Sequence, residues 1–262
     1  MEHGICLLSI IPVRKEPSEK SEMVTQILFG EFYEIIDLSG NWLNIKLSFD
    51  NYEGWIDKKA HNFISIDYFN ELNNSSPFIT SNIVSQIHEI NHNYSLSILC
   101  GSSLHFFNEN EDTFRIMDKN FKLTEKTNFQ KGNNQRQNII DSAKLYLNSP
   151  YLWGGRTPFG IDCSGLTQIV FKLNGIKVPR DANQQAKTGK TVNFIENSKA
   201  GDLAFFDNDE GDIIHVGIIL NKNEIIHASG KVKIDKIDHQ GIFDIDEKIY
   251  THKLRVIKNI LE

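Results

Sequence analysis

One cysteine in this 262-residue chain stands where a nucleophile could be made. Cys163 lies near the end of the stretch from Ser149 to Leu166, which groups glycines and prolines and then turns abruptly into helical spacing. Leu166, Ile169, Val170 and Leu173 recur at i, i+3, i+4 and i+7, and Asn174-Gly175 supplies a stop. Cys163 is therefore expected in the first turn of a helix, with Asp162 as its cap. Unpaired backbone N–H groups and the positive end of the helix dipole converge there, which favours a thiolate. The ordinary alternative is a buried structural cysteine, for which a helix start among glycines and polar residues is a poor location.

A cysteine nucleophile needs a base, and the base needs a third group to hold its tautomer. His215 and His227 lie in two apolar runs joined by Asn221-Lys222-Asn223. If those three residues form the loop, residue 220 pairs with 224 and His215 lies opposite Ser229. His227 is then diagonal to His215 on the same sheet face. A two-residue loop without a bulge would put the two rings on opposite faces. Either histidine alone reads equally well as a half-buried structural side chain; the pair, in one domain with the cysteine, points to catalysis. Cys163, His215 and His227 could ligate a metal by type, but nothing like a zinc spacing is present, so no metal and no cofactor is expected. His3, His61, His239 and His252 lack any such context, and His88, His92 and His105 read as surface residues.

These side chains must be positioned by elements of two kinds. Residues 4–66 are short strands between polar turns, with Trp42, Asn44 and Lys46 alternating against Leu43, Ile45 and Leu47. The pattern fits a small, partly open β-barrel. Residues 67–130 show further strand runs at 83–87, 94–99, 104–107 and 113–117, with a rhythm that fits a second barrel. Asn128 to Asn138 is polar and reads as a linker. Beyond it the pattern is α+β: an amphipathic helix through Ile139, Ile140, Ala143 and Leu147, the cysteine helix, and a short helix after Pro179-Arg180-Asp181. Strands follow at 203–206, 215–220, 224–228, 232–237 and 254–257. Domains are thus expected at 1–66, 67–130 and 136–262.

The formal net charge of −6, without a Lys/Arg run, argues against a nucleic-acid partner. Three widely spaced cysteines make no disulfide framework; Cys6 and Cys100, in apolar runs, read as buried hydrophobes. No apolar run reaches the roughly 18 residues that span a bilayer, so no membrane partner is expected. The first residues lack a basic segment and a cleavage site. With Met1 as the native start, the expected location is cytoplasmic. Oligomeric state is left open.

The order Val13-Arg14, Pro17-Ser18, Ser21, Leu28, Gly30-Glu31, Trp42 and Gly54-Trp55-Ile56 resembles bacterial SH3-like domains, which commonly flank cell-wall hydrolases. Tyr151-x-Trp153-Gly154-Gly155, Asp162-Cys163-Ser164-Gly165-Leu166, Pro179-Arg180, Gly201-Asp202-Leu203-x-Phe205-Phe206, His215-Val216-Gly217-Ile218 and Ile226-His227-Ala228 together resemble the NlpC-type, papain-like cysteine peptidases of bacterial cell-wall peptides. With SH3-like domains ahead, the whole chain resembles the γ-D-glutamyl-L-diamino acid endopeptidases of the dipeptidyl-peptidase VI type. The resemblance implies a papain-like peptidase domain behind two small SH3-like barrels. It makes Cys163 the nucleophile, His215 the base and His227 the orienting residue. It implies a murein peptide with a free N-terminal L-alanine as substrate, contacted by Asp162 and Ser164, with Tyr151 helping to hold the oxyanion. In this family type the first SH3-like domain closes the cleft, and Glu16 and Tyr52 stand at loop positions suited to the substrate ammonium. Plainer roles stay open: Asp162 as helix cap, Tyr151 as packing aromatic, Glu16 as exposed loop residue, Tyr52 as barrel aromatic. The competing functions are a lytic hydrolase of intact wall peptides and a non-catalytic wall-binding protein.

Replacing Cys163 with alanine is expected to abolish peptidase activity while the thermal melt stays within a few degrees, because a helix-start thiol contributes little packing. An inactive variant that is also badly unfolded would point to a structural cysteine instead.

Overall fold

Alternation of apolar and polar residues between polar turns builds the first half of the chain. The computed structural model describes residues 2–92, 94–125 and 133–261, and the chain divides into two units, Met1–Phe129 and Gln130–Glu262. In the first, seven antiparallel strands form a sheet in which Glu53–Asp57 and Phe32–Ser39 flank Trp42–Leu47. Leu43, Ile45 and Leu47 point inward, as their period of two requires, and pack with Val13, Ile27, Tyr33 and Ile56.

Helix α1, Ile66–Asn73, follows the sheet and was not legible as a helix; Ser65 caps it by accepting from the Tyr68 N–H. Only Phe69 and Leu72 of its side chains are buried, too few to show a helical period. Residues Val84–Glu89, Ser95–Leu99, Thr113–Ile116 and Lys119–Leu123 then make a four-stranded antiparallel sheet. The last of these was also not expected, its apolar positions being only Phe121 and Leu123. Ile5, Phe29 and Ile64 share a core with Ile87, Ile98, Phe114 and Phe121, so the two sheets of this unit pack as one body. His105 is not a surface residue: it is buried, with Nε2 2.8 Å from the Gly30 carbonyl oxygen and Nδ1 3.3 Å from Ser75 Oγ. Cys6 and Cys100 are buried thiols, not joined in a disulfide.

Of the polar stretch at 128–138, residues 128–132 lie outside the described residues, and helix α2, Gln135–Lys144, already occupies the rest from 135. Asn134 caps it through Oδ1, which accepts from the Arg136 and Gln137 N–H groups. Helix α3, Cys163–Leu173, is buried along its whole length, and the single turn α4, Ala182–Gln185, follows. Strands Leu203–Asp207, Ile213–Asn221, Glu224–Ser229, Lys231–Ile237, Gly241–Asp244 and Ile249–Asn259 pair in sequence order, and the last also pairs back with the first. The sheet therefore closes on itself as a six-stranded antiparallel barrel. Ala204, Phe206, Ile219, Ile225, Ile237, Ile242 and Ile257 form its core. Strand Lys190–Val192 adds to the outer side of the long final strand.

Helix α3 enters the fold through a tight passage. A Cβ on Gly165 would lie 2.2 Å from the Gly155 carbonyl oxygen and 2.9 Å from Asp162 Oδ1. Backbone cannot give way as a flexible side chain can. Gly165→Ala is expected to cost about 1–3 kcal/mol of overpacking, read as a lower denaturant midpoint, and to lower kcat/KM by displacing the adjacent cysteine. A variant with both values unchanged would show that the 152–160 loop yields freely.

Candidate active site

The start of α3 is held by one carboxylate. Asp162 Oδ1 accepts from the Gly165 N–H at 2.6 Å, and Oδ2 accepts from the Gly154 N–H at 2.8 Å. The first bond caps the helix; the second ties it to the glycine turn, where Gly154 has a φ of 74°. Arg180, fully buried, reaches both oxygens, Nη1 to Oδ1 at 3.0 Å and Nη2 to Oδ2 at 2.6 Å, and Nη1 also donates to Ser164 Oγ at 2.8 Å. Ser164 Oγ in turn donates to Asp162 Oδ1 at 3.3 Å. Asp162 and Ser164 are thus occupied by donors and acceptors of their own chain. The role of Arg180 as their buried counter-ion was not drawn from the sequence, where it was only part of a Pro-Arg motif.

The histidines come from the barrel. Gly217 pairs with His227, Ile218 with Ile226 and Ile219 with Ile225, but Asn221 pairs with Glu224. The turn therefore has two residues, Lys222-Asn223, and a bulge at Leu220 restores the register that a three-residue loop would have produced. Both rings fall on one face. His215 Nε2 lies 2.9 Å from His227 Nδ1, and both residues are buried. Gly217, directly opposite His227, leaves the space: a Cβ there would come within 3.0 Å of His227 Cβ and 2.6 Å of Ile225 Cδ1. Helix α3 packs against the His215 strand, and backbone hydrogen bonds from Val216 and Ser164 reach the Cys163 thiol. With Nε2 committed to His227, the nitrogen of His215 left to serve the thiol is Nδ1.

Two further residues complete the cluster. Asp235, on the next strand, has Oδ2 3.0 Å from His227 Nε2. His252, on the closing strand, stacks on His215 with ring centroids 4.1 Å apart. Neither was singled out by sequence reasoning. A signal existed for Asp235: it stands on the same sheet face as His227, one strand over and two residues beyond its partner Lys233. Nothing local marked His252, which arrives only because the barrel closes.

The electrostatics reverse one expectation. Burial, reinforced by the Asp162 charge, pushes the Cys163 thiol up to about 12. A helix N-terminus favours an anion by about 0.3–2 kcal/mol, whereas full burial shifts a group by up to roughly 3–5 pK units, each about 1.4 kcal/mol. Burial wins. Burial also lowers His215 well below its ordinary value, and the neighbouring His227 and His252 rings lower it further. Burial thus works against the thiolate that the helix end favours, and transfer of the thiol proton to His215 is what supplies the nucleophile. Tyr151, half-exposed, is pushed to about 12 by burial and by the nearby Cys163 and Asp162, and so remains a hydroxyl donor. Glu16 is exposed in a loop where its N–H bonds Ser21 Oγ at 2.9 Å, and Tyr52 packs against the first barrel's core. Both lie in the first unit.

A cysteine at the head of a buried helix, packed on an antiparallel barrel that carries a histidine pair, defines a papain-like cysteine peptidase fold. A family model described as the NlpC/P60 family matches residues 148–249, and one described as the bacterial dipeptidyl-peptidase Sh3 domain matches 13–60. The chain carries an NlpC/P60 cysteine peptidase domain behind a bacterial SH3 domain. It is similar to a gamma-D-glutamyl-L-lysine dipeptidyl-peptidase of Bacillus cereus, 27% identical over 231 residues, covering 79% of this chain and 68% of that one. A probable endopeptidase p60 of Listeria seeligeri is 40% identical, but over only 104 residues, 39% of this chain and 20% of that one. The crystal structure of an NlpC/P60 family protein from Bacillus cereus superposes with a TM-score of 0.82 at 19% identity, covering 99% of this chain and all of that one, and shares the fold.

Because His215 must be neutral to accept the thiol proton, the acid limb of kcat/KM is expected below pH 6.5. His252→Ala opens the stacked face to water and removes one cause of the depression, so the limb should move upward. A limb at the same pH in both enzymes would show that the stack does not tune the base.

Proposed function

We propose that this protein hydrolyses the γ-D-glutamyl–L-diamino acid bond of murein peptides that keep a free N-terminal L-alanine, with lysine or diaminopimelate as the diamino acid. The setting proposed is the cytoplasm, where it trims freed wall peptides for reuse. The observation that carries the reading is the pairing of the two domains. The relative named for γ-D-glutamyl-L-lysine dipeptides aligns with 79% of the chain, whereas the p60 relative aligns with only 39% of it.

The reaction is acyl transfer. Cys163 Sγ attacks the γ-carbonyl carbon of D-glutamate as its proton passes to His215 Nδ1. The Cys163 backbone N–H and the Tyr151 hydroxyl stabilise the oxyanion. The protonated His215 gives its proton to the departing amine of the diamino acid. It then takes a proton from water, which attacks the thioester and frees L-Ala-γ-D-Glu and the thiol.

Recognition of the alanine ammonium requires a partner, because an ammonium leaving water unpaired costs several kcal/mol, roughly. The Asp162 charge is already answered by Arg180. Part of the pairing is proposed to come from the first SH3-like domain, through Glu16, Tyr52 or both, beside Asp162. Acetylating the substrate's amine is expected to lower kcat/KM by orders of magnitude, and Glu16→Gln or Tyr52→Phe to narrow the gap between free and acetylated peptides. Equal kcat/KM for the two peptides would instead mean an open-cleft endopeptidase acting on wall peptides at large.

A further inference from the structure

The histidine pair has two possible proton arrangements, and only one leaves a base facing the thiol. A neutral imidazole carries one proton on either ring nitrogen. If His227 donates from Nδ1, His215 must accept at Nε2, its own proton sits on Nδ1, and it cannot take a proton from Cys163. If His227 accepts at Nδ1, the His215 proton is on Nε2 and Nδ1 is bare. The 2.9 Å contact between the rings is the same in both cases.

We propose that Asp235 is the positioning residue that selects the productive tautomer of His215, acting through His227. Its Oδ2 stands 3.0 Å from His227 Nε2, and a carboxylate can only accept there. His227 therefore keeps its proton on Nε2 and presents bare Nδ1 to His215. That fixes the His215 proton on Nε2 and leaves Nδ1 as the base. The relay crosses three adjacent strands on the inner face of the barrel: Gly217 pairs with His227 and His227 with Lys233, and each acting side chain lies two residues from its neighbour's partner.

Asp235 is itself fixed in place and kept ionised. Lys233 Nζ lies 3.0 Å from the same Oδ2, the Ile245 N–H donates to Oδ1 at 3.3 Å, and Lys233 is also paired with Asp244. Burial pushes Asp235 upward, but the hydrogen bonds from His227 and Lys233 outweigh it and hold it at about 2. The carboxylate stays an acceptor throughout the working pH range.

This inference rests on the cysteine peptidase reading, but its first test needs no substrate. NMR of the full chain with 15N-labelled histidine reports which ring nitrogens carry protons. The expected result at neutral pH is His215 protonated on Nε2 alone and His227 on Nε2 alone. A proton on His215 Nδ1, or a doubly protonated His227, overturns the proposal.

Two variants then separate positioning from folding. Asp235→Ala removes the acceptor, and kcat is expected to fall by about 10²–10⁴-fold with KM changed little, alongside mixed histidine tautomers. Asp235→Asn keeps an oxygen that two donors, His227 Nε2 and Lys233 Nζ, draw to the Oδ2 side. It is expected to retain the tautomer and stay within about tenfold of the parent kcat. Large losses of kcat in both variants with both tautomers unchanged would overturn the proposal and make Asp235 a structural charge. If the alanine variant does not fold, the spectrum of the parent enzyme and the asparagine variant decide.

Discussion

The pairing of Gly217 with His227 governs this site, and it depends on one unpaired residue, Leu220, just ahead of the hairpin turn. Side chains alternate across a strand, so a slip of one residue would send His227 to the other face of the sheet. The bulge absorbs the residue that a two-residue turn leaves over. Every later contact inherits that register: His227 to His215, Asp235 to His227, and Lys233 to Asp235. The same face, nearer the other end, holds Ile219, Ile225 and Ile237. Apolar packing at one end of the barrel thus fixes the strands that carry polar chemistry at the other.

The nucleophile is held by a second device of a different kind. Asp162 is the helix cap, the tie to the glycine turn and the partner of Arg180 at once. Breaking a buried pair by removing one partner costs about 3–5 kcal/mol, because the remaining charge is stranded. Cys163 is therefore placed by an arrangement too costly to rearrange. The consequence is a thiol whose burial opposes its ionisation. The chemistry is gated by the histidine relay, and the helix dipole alone does not activate the sulfur.

Closure of the barrel ties these parts together. The final strand, Ile249–Asn259, pairs with both Leu203–Asp207 and Gly241–Asp244, so its His252 comes to rest against His215. That ring shields the base and helps keep it neutral. His252, 37 positions along the chain from His215, thereby acts on its imidazole, which no local pattern records.

Much of this protein is written locally. The helix after Cys163, its Asp162 cap, the strands bearing His215 and His227 and the alternation of the first barrel follow from periodicity and capping, which depend on neighbours three or four residues away. The family motifs add order to those signals. What the sequence left open was decided by contacts between distant segments. Helix α1 and the strand Lys119–Leu123 carry too few inward apolar residues to declare a period, and His105 is drawn inside by Gly30 and Ser75. A turn of two residues with a bulge and a turn of three give the same register, so the string of residues could not tell them apart. The protonation of Cys163 was read from the helix end alone, whereas burial by the surrounding fold outweighs the dipole. Asp235 and His252 join the site only through strand pairing and barrel closure. Local order is set by short-range backbone geometry; the state of a buried proton is set by everything packed around it, and that exists only once the chain has folded.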